Sequence, residues 1–183
     1  MLKKVLTEID LYSGNILMPD GFDINRTQIK HDIIKSFSTN KRMSDNTKDY
    51  SYQDYQLPFS KPVGWLNDYI RDHFKVEYGS TLVLKSQFGC IYKPEQQAYY
   101  RHNIDPIDLK NAPDYTFIYG VDVAKDSCEL VIEYNDNRRA GRTWHLTMKN
   151  NFFALFPSTQ KYFITPNTSK QLNIFLTSTY VYI

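Results

Sequence analysis

Apolar residues recur at helical spacing in two stretches of the N-terminal 80 residues. Positions three or four apart lie on one face of an α-helix, so each stretch predicts a short amphipathic helix. The two apolar stripes are Ile29, Ile33 and Phe37, and Trp65, Leu66, Tyr69, Ile70 and Phe74. Ser60 is a candidate N-cap for the second helix, Pro62 suits its first turn, and Gly79 marks its end. Residues 38–60, which are polar and rich in tyrosine, are interpreted as a long surface loop.

From residue 81 onward the pattern changes to short apolar runs separated by turn residues, which is typical of β-strands. With no helices between them, such strands predict a mainly β fold, a sandwich or barrel such as a jelly roll, with the helices packed on one side. The predicted strands span residues 81–88, 115–123, 129–134, 143–148, 152–156, 162–164 and 172–182. We expect the last of these to be a long strand in the body of the sandwich that packs against 152–156. Residues 135–142 are turn-like and basic, which predicts a projecting hairpin.

Length and composition narrow the class of protein. A chain of 183 residues predicts a single domain, 1–183, with a helical and loop part at 1–80 and a β core at 81–183. A net charge of +2 does not indicate a nucleic-acid-binding surface. No apolar run approaches the ~18–20 residues that cross a bilayer, so no membrane partner is expected. Glu8 and Asp10 interrupt the stretch where a signal peptide would be apolar, which argues against export.

The two cysteines, Cys90 and Cys128, have neither the paired spacing of a zinc ribbon nor the number of a disulfide scaffold. We interpret both as small buried residues in a reducing compartment.

Four segments of the β half resemble the double-stranded β-helix of prolyl-hydroxylase-like Fe(II)/2-oxoglutarate-dependent oxygenases, including the small members found in tailed phages. The first runs from residues 91–95 to 100–105, in the place of a tyrosine-rich strand and the first metal-binding pair. The others span 114–130, 151–158 and 165–169. The resemblance covers the C-terminal half of the chain and, more loosely, the helix near residues 63–74. It implies a double-stranded β-helix core.

The resemblance also implies a metal site made of two histidines and a carboxylate, and a basic side chain that binds 2-oxoglutarate. Counting from Tyr92 places the first metal pair at Arg101 and Asn103, and counting from residues 156–158 places the distal histidine at Tyr162. A guanidinium cannot bind a cation, and a phenol with an ordinary pKa of ~10 is a poor Fe(II) ligand. The co-substrate position falls near Lys170. We therefore expect Tyr162 to fill the former metal pocket, with its hydroxyl bonded to Asn103 or Arg101.

Other side chains are weaker candidates for a metal site. His102 and Asp105 lie close to the expected pair, but residues three apart on a strand point to opposite faces unless a turn intervenes. His145 alternates with Trp144 and Leu146 and is the remaining non-standard candidate.

Three hypotheses of function follow. The first is a non-catalytic oxygenase-like domain without cofactor that serves as a structural or interaction protein. Its most concrete form is a tailed-phage virion component that assembles with copies of itself or with virion neighbours. Such a protein would be located in the virion or the cytoplasm. The second is an active Fe(II)/2-oxoglutarate-dependent hydroxylase that uses His102, Asp105 and His145 or Tyr162, with Lys170 on 2-oxoglutarate. The third is a glycan-binding jelly roll that uses tyrosines of two sets, Tyr50, Tyr52 and Tyr55, and Tyr99 and Tyr100.

Overall fold

The computed structural model describes residues 9–17, 23–41, 54–96, 98, 100–104, 106–135 and 142–183. The two helices are α1, Arg26–Lys41, and α2, Lys61–Tyr78, and a short 3-10 turn covers Leu109–Asn111. The strands are β1 (Tyr12–Asn15), β2 (Asp54–Gln56), β3 (Leu82–Tyr92), β4 (Tyr115–Asp122), β5 (Glu129–Asn135), β6 (Arg142–Thr147), β7 (Phe152–Pro157), β8 (Lys161–Ile164) and β9 (Asn173–Tyr182). In this part of the chain no helix is both long enough and apolar enough to span a membrane.

The strands form two antiparallel sheets. The larger sheet has the order β1-β7-β4-β9-β3-β2 and the smaller has the order β6-β5-β8. One buried cluster fills the space between the sheets and includes Leu130, Phe156, Tyr162 and Phe175. The prediction of a mainly β, jelly-roll-like core is confirmed.

The two helices cover the outer face of the larger sheet. Ile29 and Ile33 of α1 and Leu66 and Ile70 of α2 belong to a second buried cluster with Phe117, Tyr119, Leu176 and Tyr180. The helical stripes are thus confirmed as core positions. Trp65, which the sequence assigns to the same stripe, is an exception, since 44% of it is exposed.

The ends of α2 show why the helix spans these residues. Ser60 occupies the N-cap position with extended backbone, but its hydroxyl makes no capping hydrogen bond. Pro62 lies in the first turn, where a missing N–H costs nothing. Gly79 ends the helix at φ 70°, and its N–H donates to the carbonyl oxygen of Lys75. A left-handed residue at this position favours glycine because it has no Cβ.

Strand β9 lies in the interior of the larger sheet and pairs with both β3 and β4. The prediction of a long C-terminal strand in the body of the sandwich is therefore confirmed. The expected contact with residues 152–156 is not formed by pairing, because β4 lies between β9 and β7. Both backbone edges of β9 are taken by its two neighbours.

The interpretation of residues 38–60 as a loop is wrong for 38–41 and for 54–56. Helix α1 continues to Lys41, and the hydroxyls of Ser38 and Thr39 donate to carbonyl oxygens one turn earlier, on Ile34 and Lys35. Near the other end, β2 pairs with β3 as an edge strand. Residues 42–53 lie outside the described part of the chain, as do residues 136–141 of the predicted hairpin. Strand β1, which pairs with β7, was not predicted at all.

Candidate functional site

Arg101 and Tyr162 are joined by an isolated antiparallel bridge at the edge of β8 opposite β5. The N–H of Arg101 donates to the carbonyl oxygen of Tyr162 at 2.9 Å, and the N–H of Tyr162 donates back at 2.8 Å. Two residues on, the N–H of Asn103 donates to the carbonyl oxygen of Ser158 at 3.2 Å. These backbone bonds place the segment around residue 101 beside β8 and direct alternate side chains into the space between the sheets.

A network of five side chains fills this end of the β core, and we call it the Asn103 network. The amide nitrogen of Asn103 lies 3.1 Å from the hydroxyl oxygen of Tyr162 and 2.9 Å from Oγ1 of Thr116. The Nη2 atom of Arg101 donates to Oδ1 of Asn103 at 3.2 Å. Oγ1 of Thr116 lies 2.8 Å from Oγ of Ser158. Asn103 thus uses both ends of its amide within the network.

Aromatic rings enclose the charged member of this network. The guanidinium of Arg101 lies 5.1 Å from the ring centre of Phe88 and 5.6 Å from that of Tyr162, within the range of a cation–π contact. Phe156 packs against Tyr162 with ring centres 5.3 Å apart and planes at 71°. Burial lowers the pKa of the Arg101 guanidinium, while the contact with Tyr162 acts in the opposite direction. An arginine in a protein nevertheless stays charged, so this end of the core holds a permanent positive charge.

The structure places Tyr162 as the sequence predicts. Its side chain is buried in the cluster between the sheets, and its hydroxyl has Asn103 as a hydrogen-bond partner. The three side chains that counting along the sequence assigned to one pocket, Arg101, Asn103 and Tyr162, therefore lie in contact with one another. Thr116 and Ser158 were not predicted as members. Their signal in the sequence is a hydroxyl residue beside an apolar strand position, which is too common to single out.

The other candidates lie elsewhere. His102 is exposed, and its Nδ1 lies 3.1 Å from the carbonyl oxygen of Ile104. As the residue between Arg101 and Asn103, it alternates to the opposite side of the segment. Asp105 lies outside the described residues. Lys170 is exposed in the turn between β8 and β9.

His145 lies on the outer face of the smaller sheet. It pairs with Val131 of β5, whereas the flanking Leu130 and Ile132 point into the buried cluster. Its Nδ1 lies 2.8 Å from Oε2 of Glu129, and both side chains are exposed. The structure therefore does not bring His145 to Tyr162. Within the described part of the chain no three His, Cys, Asp or Glu side chains are grouped as metal ligands would be.

No known family profile matches this sequence, and no curated protein matches it. Solved structures do match the fold. A viral collagen prolyl hydroxylase of Paramecium bursaria Chlorella virus-1 is similar with a TM-score of 0.64 and 11% identity, over 93% of this chain and 94% of that one. A prolyl hydroxylase of Trichoplax adhaerens is similar with a TM-score of 0.64 and 9% identity, over 93% of this chain and 83% of that one. A prolyl-4-hydroxylase of Pseudomonas putida is similar with a TM-score of 0.58 and 10% identity, over 93% of this chain and 91% of that one.

The chain has the prolyl-hydroxylase fold. This confirms the double-stranded β-helix that the sequence resemblance implied, and it extends the likeness from the C-terminal half to nearly the whole chain. The fold raises the question of whether the residues here fit the Fe(II) that the resemblance implies.

They do not fit. The three positions that the register assigns to metal ligands hold a guanidinium, an amide and a phenol, none of which is an anionic or imidazole ligand. The amide oxygen of Asn103 already accepts from Arg101, and the phenol oxygen of Tyr162 already accepts from Asn103. A cation bound to Oδ1 of Asn103 would also lie within a few ångströms of the guanidinium, which repels it.

Proposed function

We propose that this protein is a non-catalytic form of the prolyl-hydroxylase fold that serves as a structural or interaction protein. The observation that carries the proposal is the hydrogen bond from Asn103 to Tyr162, two of the positions to which the family resemblance assigns metal ligands. A pocket whose polar groups bond to one another has no need of an ion to satisfy them.

The packing around these residues supports the same reading. Phe156 and Phe88 contact Tyr162 and Arg101, so ring carbons occupy the space beside the hydrogen bonds. Buried polar networks rigidify a core when every member is satisfied. The Asn103 network therefore supports a role in stabilising the β core rather than in chemistry.

The experiment measures metal binding by the full chain. Because a ligand present at 100 times its Kd adds ~2.7 kcal/mol of stability, binding of Mn(II) with 2-oxoglutarate would raise the melting temperature clearly. We expect no shift, and no stoichiometric Fe(II) after anaerobic loading and desalting. An active prolyl hydroxylase treated identically is the positive control. Stoichiometric Fe(II) or a metal-dependent shift overturns the proposal.

The second candidate is an Fe(II)/2-oxoglutarate-dependent hydroxylase with atypical ligands drawn from His102, Asp105, His145 and Tyr162, and Lys170 on 2-oxoglutarate. What favours it is the fold, which matches oxygenase structures over 93% of this chain. Succinate formed from 2-oxoglutarate in the presence of Fe(II) and oxygen would establish it. If His102→Ala removed such activity, His102 would be a ligand despite its exposure here.

We further propose, as the most concrete setting, a component of a tailed-phage virion that assembles with copies of itself. The resemblance to phage-type members supports the setting. Exposed apolar side chains near the paired ends of β3 and β9, among them Val83, Tyr182 and Ile183, support self-association. Light scattering after gel filtration tests self-association, and mass spectrometry of purified particles tests the setting. A monomer at all concentrations argues against assembly.

A further inference from the structure

An open cleft of about 460 Å³ lies between the two sheets at their outermost strands. Strand β1 ends the larger sheet and β6 ends the smaller one, so each pairs on one side only among the described strands. The walls include Trp144 and Tyr134 from the smaller sheet and Leu11 from the segment before β1. The volume is within the range of ~300–1,000 Å³ that is usual for ligand pockets. No member of the Asn103 network lines this cleft.

Trp144 is the unusual feature of this cleft. It pairs with Ile132, which in turn pairs with Tyr162, so the three side chains form a row on the inner face of the smaller sheet. Ile132 and Tyr162 are each 3% exposed, as inner-face residues should be, whereas 54% of Trp144 is exposed. A large aromatic ring that points toward the core side and yet stays open to solvent offers a flat binding surface.

Three polar side chains line the same cleft as Trp144. Asp10 contributes a carboxylate, Gln160 an amide and Ser13 a hydroxyl, and all three line the cleft. The hydroxyl of Tyr12 donates to Oδ2 of Asp10 at 3.3 Å, which helps to hold the carboxylate in place. Nε2 of Gln160 donates to Oγ1 of Thr159 at 3.1 Å, and the carbonyl oxygen of the same amide is a hydrogen-bond acceptor. The cleft thus offers the oxygens of Asp10 and Gln160 as acceptors and the hydroxyl of Ser13 as a donor that can rotate.

We propose that this cleft binds a neutral saccharide, with one pyranose ring stacked on Trp144 and its hydroxyls bonded to Asp10 and Gln160. A pyranose has an apolar face of C–H groups and a rim of hydroxyls, which matches an aromatic ring bordered by a carboxylate and an amide. The carboxylate of Asp10, with no cation among the described lining residues, disfavours phosphates and other anions.

This site differs from the one the sequence suggested for glycans. Tyr50, Tyr52 and Tyr99 lie outside the described residues, as does the side chain of Tyr55. Tyr100 packs against Phe163 with ring centres 4.4 Å apart and ring planes tilted by 52°. The proposal goes beyond the proposed function and does not depend on it, because an active oxygenase or a non-catalytic domain would present the same cleft.

The test uses the intrinsic fluorescence of the full chain. The protein has two tryptophans, so Trp65→Phe leaves Trp144 as the single reporter. Maltotriose, cellotriose and chitotriose are titrated separately. We expect at least one of them to change the Trp144 emission saturably, with a Kd in the millimolar range, as is usual for small neutral ligands.

Calorimetry then compares variants in the wild-type background. Asp10→Asn and Trp144→Ala are expected to weaken binding at least about tenfold, since each removes a group at the centre of the site. Tyr100→Ala is the matched control, because Tyr100 is also 54% exposed but lies outside the cleft, and it should bind as the wild type does. Circular dichroism checks that each variant is folded. No saturable binding of any of the three sugars, or binding that survives Trp144→Ala, overturns the proposal.

Discussion

The amide nitrogen of Asn103 lies 3.1 Å from the hydroxyl oxygen of Tyr162, 59 positions further along the chain. The same nitrogen lies 2.9 Å from Oγ1 of Thr116 on the opposite sheet. One side chain therefore links the smaller sheet to the larger one by hydrogen bonds. It also occupies one of the positions where the resemblance expects a metal ligand.

Replacing Asn103 should therefore destabilise the domain. Asn103→Ala leaves the buried hydroxyl of Tyr162 without this donor and also removes the acceptor of Arg101. Because a hydrogen bond to a charged group contributes ~1.5–3 kcal/mol, loss of the bond from Arg101 leads us to expect a decrease of about 2 kcal/mol in the free energy of unfolding, measured by urea denaturation. Asn111→Ala is the control, since Asn111 bonds to Asp108 on the surface. Equal effects of the two substitutions would contradict the importance of the network.

Introducing metal-binding side chains tests whether positions 101, 103 and 162 correspond to the metal-ligand positions of the family. The triple variant Arg101→His, Asn103→Asp and Tyr162→His places two imidazoles and a carboxylate where the structure brings these three side chains together. We expect it to gain measurable Mn(II) or Fe(II) affinity, at some loss of stability from unpacking the ring of Tyr162. Calorimetric titration of wild type and variant measures the gain. A control that exchanges the exposed His102 for Asn should gain nothing.

Failure of the folded triple variant to bind metal would mean that these positions do not surround a common point. Other positions of the chain would then correspond to the metal ligands, which would favour the hydroxylase alternative.

The C-terminal strand should be indispensable for folding. Deleting residues 174–183 removes all but the first residue of β9 and leaves β3 and β4 without their shared neighbour in the larger sheet. It also removes the buried side chains of Ile174, Phe175 and Leu176 and so exposes the core residues that pack against them. We expect no cooperative thermal transition. Removing Ile183 alone is the control, because it deletes two backbone bonds to Thr81 and an exposed side chain. A truncated chain that still melts cooperatively would show that β9 is dispensable.

Alkaline pH should unfold the protein through its buried acids. Burial raises the pKa of the Cys128 thiol to about 11, against the opposing effect of hydrogen bonds from Ser127 and Asn173. Burial also raises the pKa values of Tyr119 and Tyr180 above the ordinary value of 10.0. The folded state thus keeps protons that the unfolded state releases, so this stability is complete below pH ~9 and is lost as the pH rises through 11.

For Cys128 alone the loss is on the order of 2 kcal/mol. We expect urea midpoints to fall steadily above pH 9 and tyrosinate absorbance to rise in step with unfolding. At pH 8 neither cysteine should react with a thiol reagent, because Cys90 and Cys128 are both buried, as the sequence predicts. Rapid labelling of Cys128 at pH 8 in the folded protein would contradict the raised pKa.

Features that depend on local pattern could be predicted from the sequence. The helical spacing of Ile29 and Ile33 is a property of one short segment. The proline and the glycine that mark the start and the end of α2 are equally local. The same holds for the β runs, since alternation and turn residues are local signals. The spacing from Phe156 to Tyr162 also lies within one strand–turn–strand unit, so the burial of Tyr162 beside Asn103 could be predicted from the sequence.

Only the tertiary structure decided the features that join distant segments. Strands β1 and β2 are four and three residues long, too short to signal themselves, and they exist because β7 and β3 offer backbone partners. The participation of Thr116 and Ser158 in the Asn103 network likewise depends on how two sheets face each other. The exposure of Trp144 also depends on its position in the outermost strand of the smaller sheet, beside an open cleft. A local pattern determines which residues seek burial, but the packing of remote strands determines whether burial is available.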